Sequence, residues 1–250
     1  MIVTASLVYI HFFRSGGTFI NELLTRYMNG RSLGYHRPRR LLPPEYRHLP
    51  AIGSIRNPWD WYVSVYHHAV NFSYPIGART FLNMLLNYAR YDFKESTRRL
   101  IDLTWMTPKD IATAENHFPS SYDWNKKLTD NLTKQDFRSY LGCGRGFCSW
   151  LFQHMYAVDG SCENVQFCRA ESLRADFKKM LILNIGSLPH EIERFIDEAP
   201  RLNAMSGANP YLNVIPRPRD VDYHRYYDDQ LASLVYEKDR EMIDRYGYTF

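Results

Sequence analysis

The feature that most restricts this fold is a short apolar run that halts at two consecutive glycines and resumes as a helical pattern. Ser6 to Phe12 is rich in β-branched and aromatic residues, as a buried strand is, and Gly16 with Gly17 breaks it into a tight turn. From Thr18 to Met28 the apolar positions Phe19, Ile20, Leu23, Leu24, Tyr27 and Met28 recur every three or four residues, and Gly30 supplies a stop signal. The predicted order is strand, glycine loop, helix. It returns at Ala51 to Ile55, which reads as a second strand. There Asn57 suits a helix N-cap, Pro58 the first helical position, and Asp60 the first turn, where a carboxylate satisfies exposed backbone N–H groups. Trp59, Tyr62, Val63 and Tyr66 then form the buried stripe.

Beyond these two units the chain is helical in pattern from about 70 to 160, chiefly Asn71 to Tyr156, with scattered aromatics and no repeat. Leu82, Leu85, Leu86 and Tyr88 recur as a packed helix requires. Val165 to Cys168 reads as another core strand, followed by helices near Leu173 to Leu183 and Pro189 to Glu198. A looser stretch, Asn203 to Asp222, precedes a last helix from about Asp228 to Tyr246 that ends at Gly247. Strands alternating with helices predict an α/β fold with a mainly parallel sheet, and 250 residues suit a single domain, 1–250.

The formal net charge of +4 fits an anionic ligand, yet no sustained Lys/Arg block exists for tracking nucleic acid. No apolar run reaches membrane-spanning length, and Met1 to Ile10 lacks the basic flank and cleavage site of a signal peptide, so a cytoplasmic protein is expected. Cys143, Cys148, Cys162 and Cys168 stand at gaps that are not the CxxC pairs of common zinc sites; free thiols are the favoured reading. The sequons at Asn71 and Asn131 are too common by chance to argue for secretion.

Two constellations carry chemistry. Arg14, Ser15, Gly16, Gly17 and Thr18 set backbone N–H groups and a hydroxyl at a helix N-terminus beside a fixed positive charge, which is an anion cradle. The first glycine and the lysine of GxxxxGK[ST] are missing, so it is not a Walker A loop. Arg56 at a strand end is followed by Ser64, seven residues past Asn57 and hence on the same helix face as the cap, where both could hold a phosphate. Taken singly, each has a plain structural explanation: glycine turns join strands to helices in many folds, and arginines and serines populate surfaces.

Together, HFFRSGGTF from His11 to Phe19 and RNPWDWYVSVY from Arg56 to Tyr66 resemble the HxxKTGGT and RNPxDRxxSxY motifs of sulfotransferases that use 3′-phosphoadenosine 5′-phosphosulfate (PAPS). The likeness continues more faintly in Val165 to Phe177 and Tyr226 to Tyr248 and leaves the middle of the chain unmatched. The resemblance implies a P-loop-like fold in which Arg14 to Thr18, with Phe19, bind the 5′-phosphosulfate while Arg56 and Ser64 bind the 3′-phosphate. The co-substrate would be PAPS, the product 3′,5′-adenosine bisphosphate, with no metal required and a carbohydrate or small-molecule hydroxyl as acceptor. Two positions depart from the pattern: Arg14 replaces a lysine and Trp61 an arginine. Arginine can stabilise charge on the leaving oxygen but does not readily give up a proton.

A base must still take the acceptor's proton, and families of this type use His or Glu. His36, in GYHRPRR between the first helix and the second strand, is the preferred candidate; His67, His68 and Glu45 are reserves, and His11 reads as a packed strand residue. Arg37, Arg39 and Arg40 are a basic loop that could draw an anionic acceptor or simply be solvated, and Arg217 and Arg219 precede the final helix. The alternatives are a nucleotide-dependent kinase, which should need a magnesium ligand, and a non-catalytic nucleotide-binding module.

Overall fold

A computed structural model describes residues 1–72, 91–123, 132–199 and 222–250. Its strands are β1 (Ile2–Val3), β2 (Val8–Ile10), β3 (Arg31–Ser32), β4 (Ala51–Ile55) and β5 (Val165–Arg169). The helices among the described residues are α1 (Gly17–Tyr27), α2 (Pro58–Phe72), α3 (Phe93–Ile101), α4 (Pro108–Glu115), α5 (Lys134–Leu141), α6 (Phe147–Tyr156), α7 (Leu173–Ile185), α8 (His190–Glu198) and α9 (Asp229–Tyr246). The chain is α/β, as its pattern predicts. It divides into two compact units, Met1–Arg56 with Phe152–Ala208, and Asn57–Leu151 with Asn209–Phe250.

The first unit holds the sheet, in the order β3-β1-β2-β4-β5. β2, β4 and β5 are parallel, with Ile10 opposite Gly53 and Ile55 opposite Arg169. β1 is antiparallel to both β2 and β3, so the sheet is mixed where a mainly parallel one was expected. The cause is local. Thr4 makes a tight reversal, its Oγ1 accepting from the N–H groups of Ser6 (3.2 Å) and Leu7 (3.1 Å), and a link this short can join only antiparallel strands. The same turn takes Ser6 out of the predicted first strand, and Phe12 at its other end already belongs to the loop.

One face of this sheet is covered by α1, α7 and α8. Tyr9, Ile52 and Cys168 face Ile20, Leu23, Phe177, Leu181 and Ile196 in one buried cluster. Alternation along the strands sends Gly53 and Phe167 to the other face, where Tyr156 and Phe152 pack. A Cβ at position 53 would lie 2.5 Å from the Tyr156 ring, so glycine is what lets that ring lie flat on β4.

The second unit is helical. Asn57 caps α2 as its chemistry predicts, with Oδ1 accepting the Trp59 N–H at 3.0 Å and Pro58 opening the helix. Trp59, Trp61, Tyr62, Val63 and Val65 are all buried, so the first two turns of α2 pack on more than the single stripe that the spacing predicts. The Trp59 indole donates to Ala232 O (3.1 Å), and Tyr62 donates to Asp239 of α9 (2.7 Å). Asp228 and Gly247 bound α9 as the sequence predicts. Among the described residues no helix is long and apolar enough to cross a membrane. Leu82, Leu85, Leu86, Tyr88, Asn131, Arg217 and Arg219 lie outside the described residues.

Candidate anion site at the strand ends

Because β2 and β4 are parallel neighbours, the loop after Ile10 and the residue after Ile55 emerge side by side. This is the end of an open α/β sheet at which ligands are bound. Arg14 takes a left-handed φ of 62° and Gly16 one of 86°, turning the chain sharply into α1. Such a φ is strained for arginine, and two contacts hold it. Arg56 Nη1 donates to the Arg14 carbonyl at 3.0 Å, and the Ser15 hydroxyl donates inward to Phe12 O at 2.8 Å.

Gly16 and Thr18 are exposed and Arg14 is half-buried, whereas Ser15 is fully buried. No side chain caps α1 and no acid occupies its first turn, so the positive end of the helix is not neutralised there. The Gly17 backbone lies directly under His11; a Cβ there would meet the imidazole at 2.0 Å. That contact, more than the turn, demands glycine at this position.

Some of the predicted site residues act differently from their reading in sequence. Ser15 contributes no outward hydroxyl, because Oγ sits 2.6 Å from Ser54 Oγ and gives its proton to Phe12 O. Phe19 is a core residue: its ring stacks on Phe195 (5.5 Å) under the Arg174 guanidinium (5.2 Å), and its N–H returns to Gly16 O (3.2 Å). Ser64, on α2 in the second unit, is only 3% exposed. Trp61, where the resembling motif carries arginine, is fully buried against Tyr62 and Phe147, a core position rather than a ligand-facing one.

His36, the preferred base between α1 and β4, is only 5% exposed. Its ring lies 4.6 Å from that of His11 and edge-on to Phe13 at 5.7 Å, with the backbone in a left-handed φ of 44°. Burial, reinforced by the Met1 amino group and Arg14, lowers the His11 pKa to about 3. Asn21 Nδ2 lies 3.4 Å from its Nδ1. His11 is therefore a neutral ring wedged between the loop and His36.

The reserve residues are dispersed. His67 Nε2 is 2.7 Å from the Tyr226 hydroxyl in the second unit, and Glu45 is exposed on a short 3-10 turn. The basic loop is tied down more than sequence suggested: Arg37, Arg39 and Arg40 donate to the carbonyls of Leu33 (3.2 Å), Glu163 (2.7 Å) and His154 (2.7 Å). All four cysteines are free thiols, as predicted. What sequence reasoning missed is the buried hydroxyl group Tyr9, Ser54 and Tyr156 beneath the loop. Its one sequence signal is the Gly53-Ser54 pair inside an otherwise apolar strand.

Comparison with family models, with curated proteins and with solved structures returned no match.

Proposed function

We propose that the protein is a sulfotransferase of P-loop-like architecture, moving a sulfuryl group from PAPS to a hydroxyl of a carbohydrate or small metabolite. The observation that carries this reading is the contact of Arg56 with the Arg14 carbonyl at 3.0 Å, which joins the starts of the two motifs at the ends of neighbouring strands. A glycine loop alone suits any phosphate. A loop joined to a second fixed guanidinium suits a nucleotide with phosphate on both sides of its ribose, which ATP lacks. The uncapped first turn of α1 and the exposed Gly16 and Thr18 fit the same chemistry.

In this reading Arg14 and the loop amides bind the 5′ end and stabilise the charge that grows there as the sulfur–oxygen bond breaks. Arg56 binds the 3′-phosphate; Ser64 is assigned to the same group by the motif resemblance alone. The acceptor oxygen attacks sulfur in line, and its proton passes to the base, for which His36 remains the candidate. Burial disfavours the protonated form of His11, which makes it a weak proton acceptor, and its ring sits against the Gly17 backbone.

The test is calorimetric titration with 3′,5′-adenosine bisphosphate, 5′-AMP and ATP, on wild type, Arg56→Ala and His36→Ala. We expect strong preference for the bisphosphate, its loss in Arg56→Ala, and full binding without turnover in His36→Ala. ATP binding as well as the bisphosphate would move the kinase reading to the front, and full turnover in His36→Ala would assign the base elsewhere.

A further inference from the structure

We propose that Tyr9, Ser54 and Ser15 form a one-way hydrogen-bond chain that sets the shape of the anion loop, making Tyr9 and Ser54 positioning residues for the 5′-phosphosulfate. This rests on the donor-site reading above and deepens it.

The direction of the chain follows from counting protons. Each hydroxyl has one to give. Ser15 spends its own on Phe12 O at 2.8 Å, so across the 2.6 Å contact with Ser54 the donor is Ser54. The Ser54 proton is then used, so across the 3.0 Å contact with Tyr9 the donor is Tyr9. The sequence is Tyr9 O–H to Ser54 Oγ–H to Ser15 Oγ–H to the Phe12 carbonyl. All three residues are 0% exposed, so no water competes for any link.

The middle of the chain is itself fixed. Tyr156 approaches Ser54 from the opposite face of the sheet, accepting its N–H at 2.9 Å and donating to its carbonyl at 2.7 Å. The loop is therefore gripped at two successive residues: Arg14 through its carbonyl by Arg56, Ser15 through its hydroxyl by Ser54. Removing the Ser54 hydroxyl leaves the Tyr9 proton and a Ser15 lone pair buried and unpaired, and frees the peptide that carries the strained Arg14. Any disturbance passed on to the 3′-phosphate through Arg56, which donates to the Arg14 carbonyl, weakens both nucleotides alike and cancels in a ratio of their affinities.

The experiment is titration of wild type, Ser54→Ala and Tyr9→Phe with 3′,5′-adenosine bisphosphate and with 3′-AMP. The ratio of the two affinities isolates the 5′-phosphate. Leu181→Ala, a fully buried change in the core cluster that removes no hydrogen bond, serves as the control for lost stability. We expect the ratio to fall about tenfold in Ser54→Ala, a few-fold in Tyr9→Phe, and not at all in Leu181→Ala. If Ser54→Ala does not fold, Tyr9→Phe, which keeps its ring, carries the test. A wild-type ratio in both hydroxyl variants overturns the inference while leaving the donor site standing. A wild type that binds both nucleotides equally removes the donor-site reading and the inference with it.

Discussion

The two units bury polar groups in opposite ways. The sheet unit buries hydroxyls: Tyr9, Ser54, Ser15 and Tyr156 satisfy one another and nearby carbonyls, and burial pushes the tyrosine pKa values further up, so nothing in the group ionises at working pH. The helical unit buries a carboxylate. Asp239, 0% exposed at a kink in α9, accepts from Tyr62 Oη and from the Ser149 N–H at the start of α6, each at 2.7 Å. Tyr62 Oη in turn accepts the Cys148 N–H at 3.1 Å. Both arrangements satisfy buried backbone and hydroxyl groups. Of these two clusters only the second titrates, because only there does burial oppose a charge.

The largest effect should come from that carboxylate. Asp239→Ala leaves the Ser149 N–H and the Tyr62 hydroxyl unpaired in a dry site, a loss of about 3 to 5 kcal/mol in urea denaturation. Burial raises the Asp239 pKa to about 6 from an ordinary 3.8. A carboxyl whose folded pKa is raised binds its proton more tightly in the native state. The stability this provides is present below about pH 4 and lost as pH rises through 6, roughly 3 kcal/mol in all. The neighbours facing it, Tyr62 and Cys148, are pushed up by burial and stay neutral over that window. Asp239→Asn should keep most of the stability and remove the share of the slope between about pH 4 and 6 that Asp239 contributes. An unchanged slope in that variant would assign the titration to another group.

The hydroxyl cluster gives the contrasting result. Tyr156→Phe keeps the ring that packs on Gly53 and removes only the oxygen that serves the Ser54 N–H and carbonyl. The expected loss is about 1 to 2 kcal/mol by urea denaturation, the same at pH 5 and pH 7.5. A pH-dependent loss would mean that the hydroxyl cluster is coupled to a titrating group, and the contrast between the two clusters would fail.

What could be read in advance follows the same division between local and remote causes. β4 and the Asn57-Pro58 start of α2 were legible because strand residues, cap and first-turn proline act on their immediate neighbours. The turn into α1 at Gly16 was legible for the same reason. The direction of the Ser15 hydroxyl was not, since it depends on Ser54, thirty-nine residues away. Nor were the two-residue strands β1 and β3, too short to show a period. Asp239 reads as surface in the charged run EKDRE, yet it falls in line with Leu231, Val235, Met242 and Ile243 on the buried side of α9. An acid in an apolar stripe was the available signal.

The smallest effect tests whether charge or burial is responsible. Arg138 makes a two-pronged pair with Glu115 at 2.7 and 2.8 Å in the same helical unit, as good in geometry as any contact of Asp239. The arginine is exposed, and water already solvates its charge. Pairing lowers the Glu115 pKa and raises that of Arg138, moving both away from neutral pH. Arg138→Ala should therefore leave the denaturation midpoint and its slope between pH 5 and 7.5 within error of wild type, and added salt should erase any residue of a difference. A midpoint shift comparable to that of Asp239→Ala would show that ion pairing, not burial, governs this unit, and the pH argument for Asp239 would lose its basis.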